Sequence, residues 1–363
     1  MTPLTLHQWH ESHRAVFRTE AEREAVSHYG SNRREYEALT TAVGLVDLSF
    51  RGRLCIAGAD QIRFLHGQVT NDVKKLQVGQ GCYAALITAK GKMQSDLNIY
   101  RLANEILLDF EPGLTDAIQH RLEKYIIADD VQMVDVSNDY GLLSVQGKNA
   151  AETLVASGLA GAPPTNSMDN ILTSFGELME IYVMRHERFN AGGFDLFVPT
   201  GSMEALAQRL LAAIESQGGA LCGWDALELA RFEAGIPRFG LDMDETNLPL
   251  EAGLENRAVS FSKGCYIGQE VISRIKTYGQ VAKSLRVLVF QKEPSVPILR
   301  GEKLFHQDKE IGYITSGVFS PRRNKSLAMG YVRKECNQPG QVLYRSPEMG
   351  GEGMEVVAQT GQR

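Results

Sequence analysis

The spacing of apolar and polar positions changes along the chain and predicts three kinds of structure. Residues 1–35 are polar, with Glu, Arg and His prominent, and this composition predicts a helical N-terminal extension. From Gly44 onward, strand-like runs such as RGRLCIAG alternate with amphipathic runs such as GLTDAIQHRLEKYII and SMEALAQRLLAAIESQ. This mixed alternation indicates an α+β core of two interleaved domains over residues 36–280.

The last part of the chain changes character again after Arg286. Short strand-like runs, among them LRVLVF, EIGYITSGVFS, SLAMGYV and QVLYR, are separated by Gly, Pro and Asn breaks. Short strands at this spacing are typical of a small sandwich or barrel. We therefore predict a C-terminal all-β domain over residues 281–363, with its boundary near Val281.

Composition narrows the class of protein. The chain has 363 residues, enough for two or three domains, and its 43% hydrophobic and 23% charged residues are typical of soluble globular proteins. Its start lacks a basic flank followed by an apolar stretch, and no run approaches the roughly 18 apolar residues that a membrane span needs. We expect a cytoplasmic protein that does not contact a membrane.

Charge and cysteine usage argue against several kinds of site. The net charge of -6 speaks against a nucleic-acid clamp over the whole protein, while the basic stretch from Lys263 to Lys283 is either a local basic cleft or a solvated helix face. The 5 cysteines stand singly and form no CxxC, so neither a disulfide framework nor a cysteine-built zinc site is predicted. We assign no other metal site. Neither a GxGxxG nor a P-loop motif occurs.

The stretch KGCYIGQEVISR, residues 263–274, predicts a loop followed by a helix over residues 266–275. Glu270 and Arg274 lie four residues apart and can pair on one face of that helix. The expected buried stripe follows the spacing i, i+4, i+8 and consists of Ile267, Val271 and Ile275.

The cysteine of this motif is a candidate for chemistry. Cys265 would lie at or next to the helix N-cap, where unpaired N–H groups and the helix dipole favour an anion, and Lys263 is two residues away. Both influences lower the pKa of a thiol, which is how reactive cysteines arise. Gly264 and Gly268 would let a ligand approach closely. The alternative is a small residue in a tight turn, with Lys263 in solvent.

The octapeptide KGCYIGQE resembles the signature of the YgfZ family of folate-binding proteins, which are relatives of the aminomethyltransferase (T-protein) of the glycine cleavage system. The likeness runs from about Tyr36 to Val357, and GLVDLSFRGRLCIAG, FLHGQVTNDV, RFEAGIPRFGLDMDET and EIGYITSGVFSP are similar to segments of both branches. It implies a three-domain ring around a folate-sized hole, with a C-terminal β-barrel. It also implies tetrahydrofolate as cofactor, a reactive cysteine, maintenance of iron–sulfur proteins and an effect on tRNA thiolation.

The resemblance also implies which residues form the site. Cys265 and Lys263 are the candidate catalytic residues. Tetrahydrofolate and iron–sulfur proteins or their assembly factors are the expected partners, with RNA as a weaker candidate. The candidate cofactor-binding residues are Asn71, Asp96, Trp224, Arg231, Glu233, Gly264, Tyr266, Gly268, Gln269, Glu270 and Arg274.

Three departures from the transferase pattern bear on the reaction. Where the transferase has two adjacent aspartates, this chain has Ser95-Asp96, and a serine hydroxyl neither stabilises a cationic intermediate nor takes its proton at pH 7. Asp96 points to the opposite face of the strand and is either structural or catalytic. Ala191 and Trp224 replace a glutamate and an arginine that hold folate, and Trp224 either stacks on a ligand or anchors a helix start.

The loss of two charged partners would weaken folate binding by several kcal/mol, at roughly 1.5–3 kcal/mol for each. We therefore expect folate to bind more weakly or in another pose, and we do not expect aminomethyl transfer. Two pairs stay open: Asn71 and Asp72 either cap the next element or bind, and Arg231 and Glu233 pair either across a cleft or on one helix face.

Three functions remain in competition. The first is a folate-dependent cysteine protein that supports iron–sulfur cluster assembly or repair. The second is a tetrahydrofolate-dependent aminomethyltransferase of the glycine cleavage type. The third is a non-catalytic adaptor that holds a protein or RNA at the basic Lys263–Lys283 stretch. The sequence leaves open whether the protein is an enzyme.

Overall fold

The computed structural model describes residues 2–347 and 352–357. Their α-helices are α1 His7–Ser12, α2 Asn32–Thr41, α3 Gln61–Gln68, α4 Thr115–Glu123, α5 Ala150–Ala156, α6 Met203–Ser216, α7 Trp224–Glu233, α8 Glu255–Ala258 and α9 Gln269–Tyr278. Their strands are β1 Val16–Glu20, β2 Arg23–His28, β3 Gly44–Asp47, β4 Gly52–Ala57, β5 Gly81–Ile87, β6 Met93–Arg101, β7 Ile106–Phe110, β8 Gln132–Asp135, β9 Tyr140–Gln146, β10 Asn170–Phe175, β11 Leu178–Arg185, β12 Gly193–Pro199, β13 Ala220–Leu221, β14 Lys283–Phe290, β15 Lys303–His306, β16 Lys309–Ser320, β17 Lys325–Arg333, β18 Val342–Tyr344 and β19 Gly353–Val357.

The chain divides into two compact units, and each is built from separate stretches. The first unit contains the chain up to His66, Asp72–Tyr83 and Leu97–Ala230, and the second contains Gly67–Asn71, Ala84–Asp96 and the chain from Arg231 onward. The predicted boundary near Val281 falls inside the second unit, two residues before β14. The division into 36–280 and 281–363, and the three-domain ring, stay predictions; residues 348–351 and 358–363 lie outside the described part.

The N-terminal segment corrects the sequence expectation. Residues 1–35 were expected to be helical, but after the short α1 they form an antiparallel hairpin of β1 and β2, with Glu20 opposite Arg23. Ala21 and Glu22 both have positive φ, of 46° and 67°, which is the backbone of a two-residue hairpin turn that matches the strand twist. Both strands contain many charged residues, so the alternation of apolar and polar positions that usually marks a strand is not visible in the sequence.

The first unit is organised around a six-stranded sheet of order β10-β11-β12-β9-β3-β13, in which β13 runs parallel to β3. The amphipathic run that predicts a helix forms α6, and its inward face packs on this sheet. Burial of each such apolar side chain contributes roughly 1.5–3 kcal/mol. The buried residues of α6 are Met203, Leu206, Ala207, Leu210, Ala213 and Ile214.

A second sheet has five strands in the order β5-β6-β7-β4-β8. Its strand β6 carries Ser95 and Asp96, and β7 carries Asp109 inside the apolar run ILLDF. Within the described residues, each helix is too short or too polar to cross a membrane.

The C-terminal strands of the second unit close a six-stranded barrel of order β14-β17-β16-β15-β18-β19, because β14 pairs with both β17 and β19. Apolar side chains such as Leu288, Phe290 and Ile314 fill its interior. Closure removes exposed strand edges, which short strands otherwise leave open. The predicted α+β fold with a C-terminal all-β barrel is therefore confirmed.

Candidate functional site

Cys265 lies on an exposed loop, and the helix after it begins later than the sequence suggests. Helix α9 starts at Gln269, and its N-cap is Gly268 with φ of 84°. A positive φ is open mainly to glycine, so Gly268 sets the start of the helix. The expected placement of Cys265 at or next to the N-cap is wrong, since Cys265 lies three positions before Gly268. The thiol is nevertheless exposed.

The later start also changes which residues of α9 are buried. Ile272 is its buried residue, while Ile267, Val271 and Ile275 of the expected stripe are only half-buried. The helix therefore packs through a narrower face than an amphipathic core helix does. Glu270 and Arg274 form the expected pair at 2.8 Å, but both are exposed, so the pair contributes little, about 0.3–0.5 kcal/mol.

Lys263 fixes the start of the loop over residues 263–268, which contains Cys265 and is called the cysteine loop below. Its side chain is buried, and its ammonium donates to the main-chain oxygens of Val69 at 2.6 Å and Asn71 at 2.8 Å. It also lies 4.7 Å from the ring centroid of Tyr266, a cation–π distance. The alternative of Lys263 in solvent is wrong. Its ammonium is bound to carbonyls, so it serves the loop rather than activating the thiol directly.

Further hydrogen bonds tie the same loop to the segment Gly67–Asn71. The Asn71 amide therefore holds the chain before Lys263, and main-chain bonds hold the chain on both sides of Cys265. These bonds are Asn71 Nδ2 to Arg257 O at 3.1 Å, Thr70 Oγ1 to Ala258 O at 2.6 Å, Ser260 N to Thr70 O at 3.0 Å and Ile267 N to Gly67 O at 3.1 Å.

Cys265 differs from the other cysteines in its exposure. Cys55, Cys222 and Cys336 are buried and Cys82 is half-buried. Burial raises the pKa of Cys55 to about 12 and the pKa of Cys222 well above its ordinary value, which keeps both as inert thiols. The cysteine of the KGCYIGQE motif is the one of the five that solvent reaches freely.

Strand β6 places Ser95 and Asp96 on opposite faces. Ser95 is fully buried, and its hydroxyl donates to the main-chain oxygen of Asp96 at 2.9 Å. Asp96 is half-buried. Ser95 is thus bound to the backbone, and Asp96 is the carboxylate of this pair that has partial access to solvent.

Three more of the predicted residues, Trp224, Arg231 and Glu233, have protein partners. Trp224 begins α7 and is buried in the first unit, edge-on to Phe50 with ring centroids 5.1 Å apart, as expected for a helix-start anchor. Arg231, in the second unit, pairs with Asp242 at 3.0 Å. Glu233 accepts a hydrogen bond from the Ser320 hydroxyl. The structure brings Asn71, Lys263 and the cysteine loop together, and it gives Trp224 a packing role.

Most cations of the basic stretch Lys263–Lys283 are bound to other groups of the protein. Lys263 is buried on carbonyls and Arg274 is paired with Glu270. The ammonium of Lys283 donates to the Tyr313 hydroxyl at 3.1 Å and lies 4.7 Å from the Tyr331 ring. Three of the four cations of this stretch are therefore engaged by protein groups, while Lys276 is exposed and lies over the ring of Phe261.

A buried charge network in the first unit was missed from the sequence. Arg188 donates to Asp195 at 2.6 Å and to Asp109 at 3.3 Å, and Arg51 donates to Asp109 at 2.8 Å. His186 Nδ1 lies 2.9 Å from Asp195. Burial raises the pKa of Asp109 and of Asp195. The charges of the guanidinium groups outweigh this effect of burial and hold both pKa values below the usual range for aspartate. The sequence signal is an aspartate inside an apolar strand, as in ILLDF and FDLF.

The same residues resemble a metal site only in composition. Asp109, His186 and Asp195 each offer one ligand atom, all within 4.8 Å of one another. The guanidinium of Arg188 donates to both carboxylates, so cationic charge already occupies the position that a metal ion would take. The arrangement fits a structural network, in which burial, followed by the charge of Arg188, lowers the pKa of His186.

Comparisons with known proteins agree with this architecture. The family model of the GCVT N-terminal domain matches residues 6–263. The family model of the glycine cleavage T-protein C-terminal barrel domain matches residues 283–355. An aminomethyltransferase of Shouchella clausii is 30% identical over 310 residues, 84% of this chain and 82% of the relative. A putative chloroplastic transferase of Arabidopsis thaliana is 28% identical over 334 residues, 88% of this chain and 72% of the relative.

A solved structure gives the same result. The crystal structure of the glycine cleavage system aminomethyltransferase T from Bartonella henselae superposes with a TM-score of 0.88 and 26% identity, covering 100% of this chain and 99% of that one. The fold is thus that of an aminomethyltransferase-type protein. The chain belongs to the glycine cleavage T-protein family.

The backbone of Gly268 yields a stability prediction. Gly268→Ala would place a Cβ 2.5 Å from the Thr88 carbonyl oxygen at a φ of 84°, so we expect the free energy of unfolding to fall by about 1–3 kcal/mol. Gly279→Ala is the control, because its Cβ meets no atom within 4 Å, and it should change stability by less than about 0.5 kcal/mol. Urea unfolding measures both; equal stability of the two variants would contradict the role given to Gly268.

The charge network yields a second prediction. Arg188→Met leaves two buried carboxylates short of a partner, so we expect a loss of about 3–5 kcal/mol in unfolding free energy. Arg209→Met is the control, because Arg209 pairs with Glu177 at 2.6 Å on the surface, and its loss should be below about 1 kcal/mol. Denaturant titration compares them, and a small effect of Arg188→Met would show that the network contributes little.

The same network predicts a pH dependence. Asp109 and Asp195 have pKa values lower in the folded than in the unfolded chain, so their contribution to stability is complete above about pH 4 and is lost as the pH falls further. His186, whose folded pKa is also lowered, adds a loss of stability that begins below about pH 6.5. Melting temperatures of wild type and Arg188→Met from pH 3 to 8 test this, because the variant should show a shallower acid limb.

Proposed function

We propose that this protein is a tetrahydrofolate-binding member of the YgfZ branch that supports iron–sulfur proteins through the thiol of Cys265. The observation that carries the proposal is the exposure of this one cysteine on a loop fixed by Lys263 and by main-chain bonds on both sides. This cysteine stands in KGCYIGQE, which resembles the YgfZ signature and by that resemblance favours the YgfZ branch over the transferase.

An exposed thiol on a fixed loop suits work on another protein. Thiolates ligate iron in iron–sulfur clusters and attack disulfides and other electrophiles, and both uses require access. A fixed backbone holds the sulfur in one position, so a partner that docks there meets it without first ordering the loop. Cytoplasmic location and an effect on tRNA thiolation belong to the proposal. Three of the four cations of the Lys263–Lys283 stretch are bound to protein groups, which gives little support to RNA as a direct partner.

Tetrahydrofolate enters the proposal through the family likeness. The residues at the positions that the likeness implies leave few groups to hold or react with a folate. Ser95 is buried and bound to the backbone, Trp224 is part of the core, and Asp96 is the half-buried acid that remains as a candidate ligand. We expect tetrahydrofolate to bind in a calorimetric titration; the absence of binding would remove folate from the proposal and leave the thiol.

A complementation experiment tests the thiol. In a strain that lacks this protein and has low iron–sulfur enzyme activity, the wild-type chain should restore the activity and Cys265→Ser should not, because the serine hydroxyl is neither a soft ligand nor a nucleophile at pH 7. Cys82→Ser is the control and should restore it, since Cys82 is half-buried and lies outside the loop. Cys265→Ser replaces an exposed side chain, so its unfolding free energy should stay within about 0.5 kcal/mol of wild type.

Full restoration by Cys265→Ser would overturn the proposal and favour a non-catalytic adaptor. Aminomethyl transfer is the second candidate, favoured by relatives that are named aminomethyltransferases. An assay of methylenetetrahydrofolate release from an aminomethylated lipoyl carrier separates the two. We expect no release above background, because Ser95 offers no carboxylate to the folate amine; clear turnover would establish the transferase.

A further inference from the structure

A cavity of about 390 Å³ in the second unit lies beside the C-terminal half of α9 and the first strand of the barrel. Its volume lies near the lower end of ligand cavities, which hold small molecules. The described residues around it include no aromatic ring, so it offers no stacking surface for a nucleobase. The polar residues that matter for its chemistry are Glu255, Lys276, Arg286, Lys334 and Asn337.

Positive charge dominates this cavity although the protein as a whole is acidic. Lys276, Arg286 and Lys334 line it, against the one carboxylate of Glu255. In the part of the chain that the structure describes, none of the three cations forms an ion pair with a carboxylate, although Glu255 lies close enough to Arg286 to raise its pKa, and both lysines are exposed. Lys276 contacts the ring of Phe261 at 5.0 Å, and this leaves its charge uncompensated. The cavity thus has an excess of cations that protein groups do not neutralise.

Arg286 is held in place and keeps donors to spare. Its Nε donates to the Asn337 main-chain oxygen at 3.0 Å and its Nη1 to the Leu285 main-chain oxygen at 2.9 Å. A guanidinium has five N–H donors, and among the described residues Nη2 has no acceptor. Burial lowers the pKa of Arg286 and outweighs the charge of Glu255, which raises it, as expected for a half-buried cation that has lost part of its water. A fixed guanidinium with a free edge is suited to bind a carboxylate.

Glu255 lacks a hydrogen-bond donor, whereas Arg286 has a donor to spare. Its Oε2 is buried and has no hydrogen-bond partner among the described residues. A buried carboxylate oxygen without a donor is costly, and an ammonium or amide N–H from a ligand would satisfy it. A simple phosphate or sulfate ion would bind the cations but leave Glu255 without a donor. The ligand therefore carries both acidic groups and an N–H donor.

We propose that this cavity binds a small dicarboxylic amino acid, with its carboxylates on Arg286 and the two lysines and its ammonium on Glu255. Two acidic groups match the three cations, and one ammonium matches the single carboxylate. A molecule of this size fits a cavity of about 390 Å³. The site is separate from the thiol of Cys265, and its test does not depend on iron–sulfur function.

Calorimetry on the full chain tests the site with three probes. L-glutamate carries both carboxylates and the ammonium, glutarate lacks the ammonium, and 4-aminobutyrate lacks one carboxylate. We expect L-glutamate to bind with a Kd of about 1 mM or below, and each of the others at least about tenfold more weakly, as expected for one lost charged hydrogen bond. Absence of L-glutamate binding, or equal binding of glutarate, would overturn the proposal.

Variants assign the binding to the cavity. Glu255→Gln should remove the preference for L-glutamate over glutarate, and Arg286→Lys should weaken both ligands. Lys334→Gln should weaken L-glutamate, while Lys325→Gln, the matched control at an exposed lysine outside the cavity, should leave it unchanged. Melting temperatures check that each variant is folded. Binding that survives Glu255→Gln and Arg286→Lys unaltered would place the amino acid elsewhere and overturn the proposal.

Discussion

The buried ammonium of Lys263 is the interaction on which the candidate site depends. A lysine out of water must replace its hydration with protein groups, and here two main-chain oxygens and an aromatic face do so. Those oxygens belong to Val69 and Asn71, on a segment that is distant from Lys263 in sequence. The lysine therefore fixes a loop that has glycines on both sides of Cys265. The thiol is exposed, and the backbone that carries it is held in place.

Buried charges serve two different purposes in this molecule. In the first unit, Arg51 and Arg188 are matched by Asp109 and Asp195, and the network is closed on itself. In the cavity of the second unit, Glu255 lies close enough to Arg286 to raise its pKa, but Glu255 Oε2 has no hydrogen-bond donor and Arg286 forms no ion pair among the described residues. The first arrangement stabilises a fold, because each charge meets its opposite. The second costs stability unless a ligand completes it, which is the physical reason to search for ligands there.

The sequence predicts structure well where the signal is local. The short strands between Gly and Pro breaks form the barrel, the apolar stripe of α6 is buried, and Glu270 pairs with Arg274. It fails where a distant contact decides. The start of α9 depends on Gly268, which packs against Thr88, and Lys263 is buried because Val69 and Asn71 lie over it. The charge network joins residues from separate strands and loops, and no local pattern shows that they meet.

The likeness to aminomethyltransferases is a statement about fold, and the residues that carry chemistry have to be judged one by one. Ser95 stands where the transferase pattern has an aspartate, and its hydroxyl is bound to the backbone of its neighbour. Trp224 fills core space beside Phe50 instead of presenting a cation. The thiol of Cys265, by contrast, is held in the open at the cost of burying a lysine. We therefore propose that the same backbone carries a site whose reactive group is sulfur rather than carboxylate.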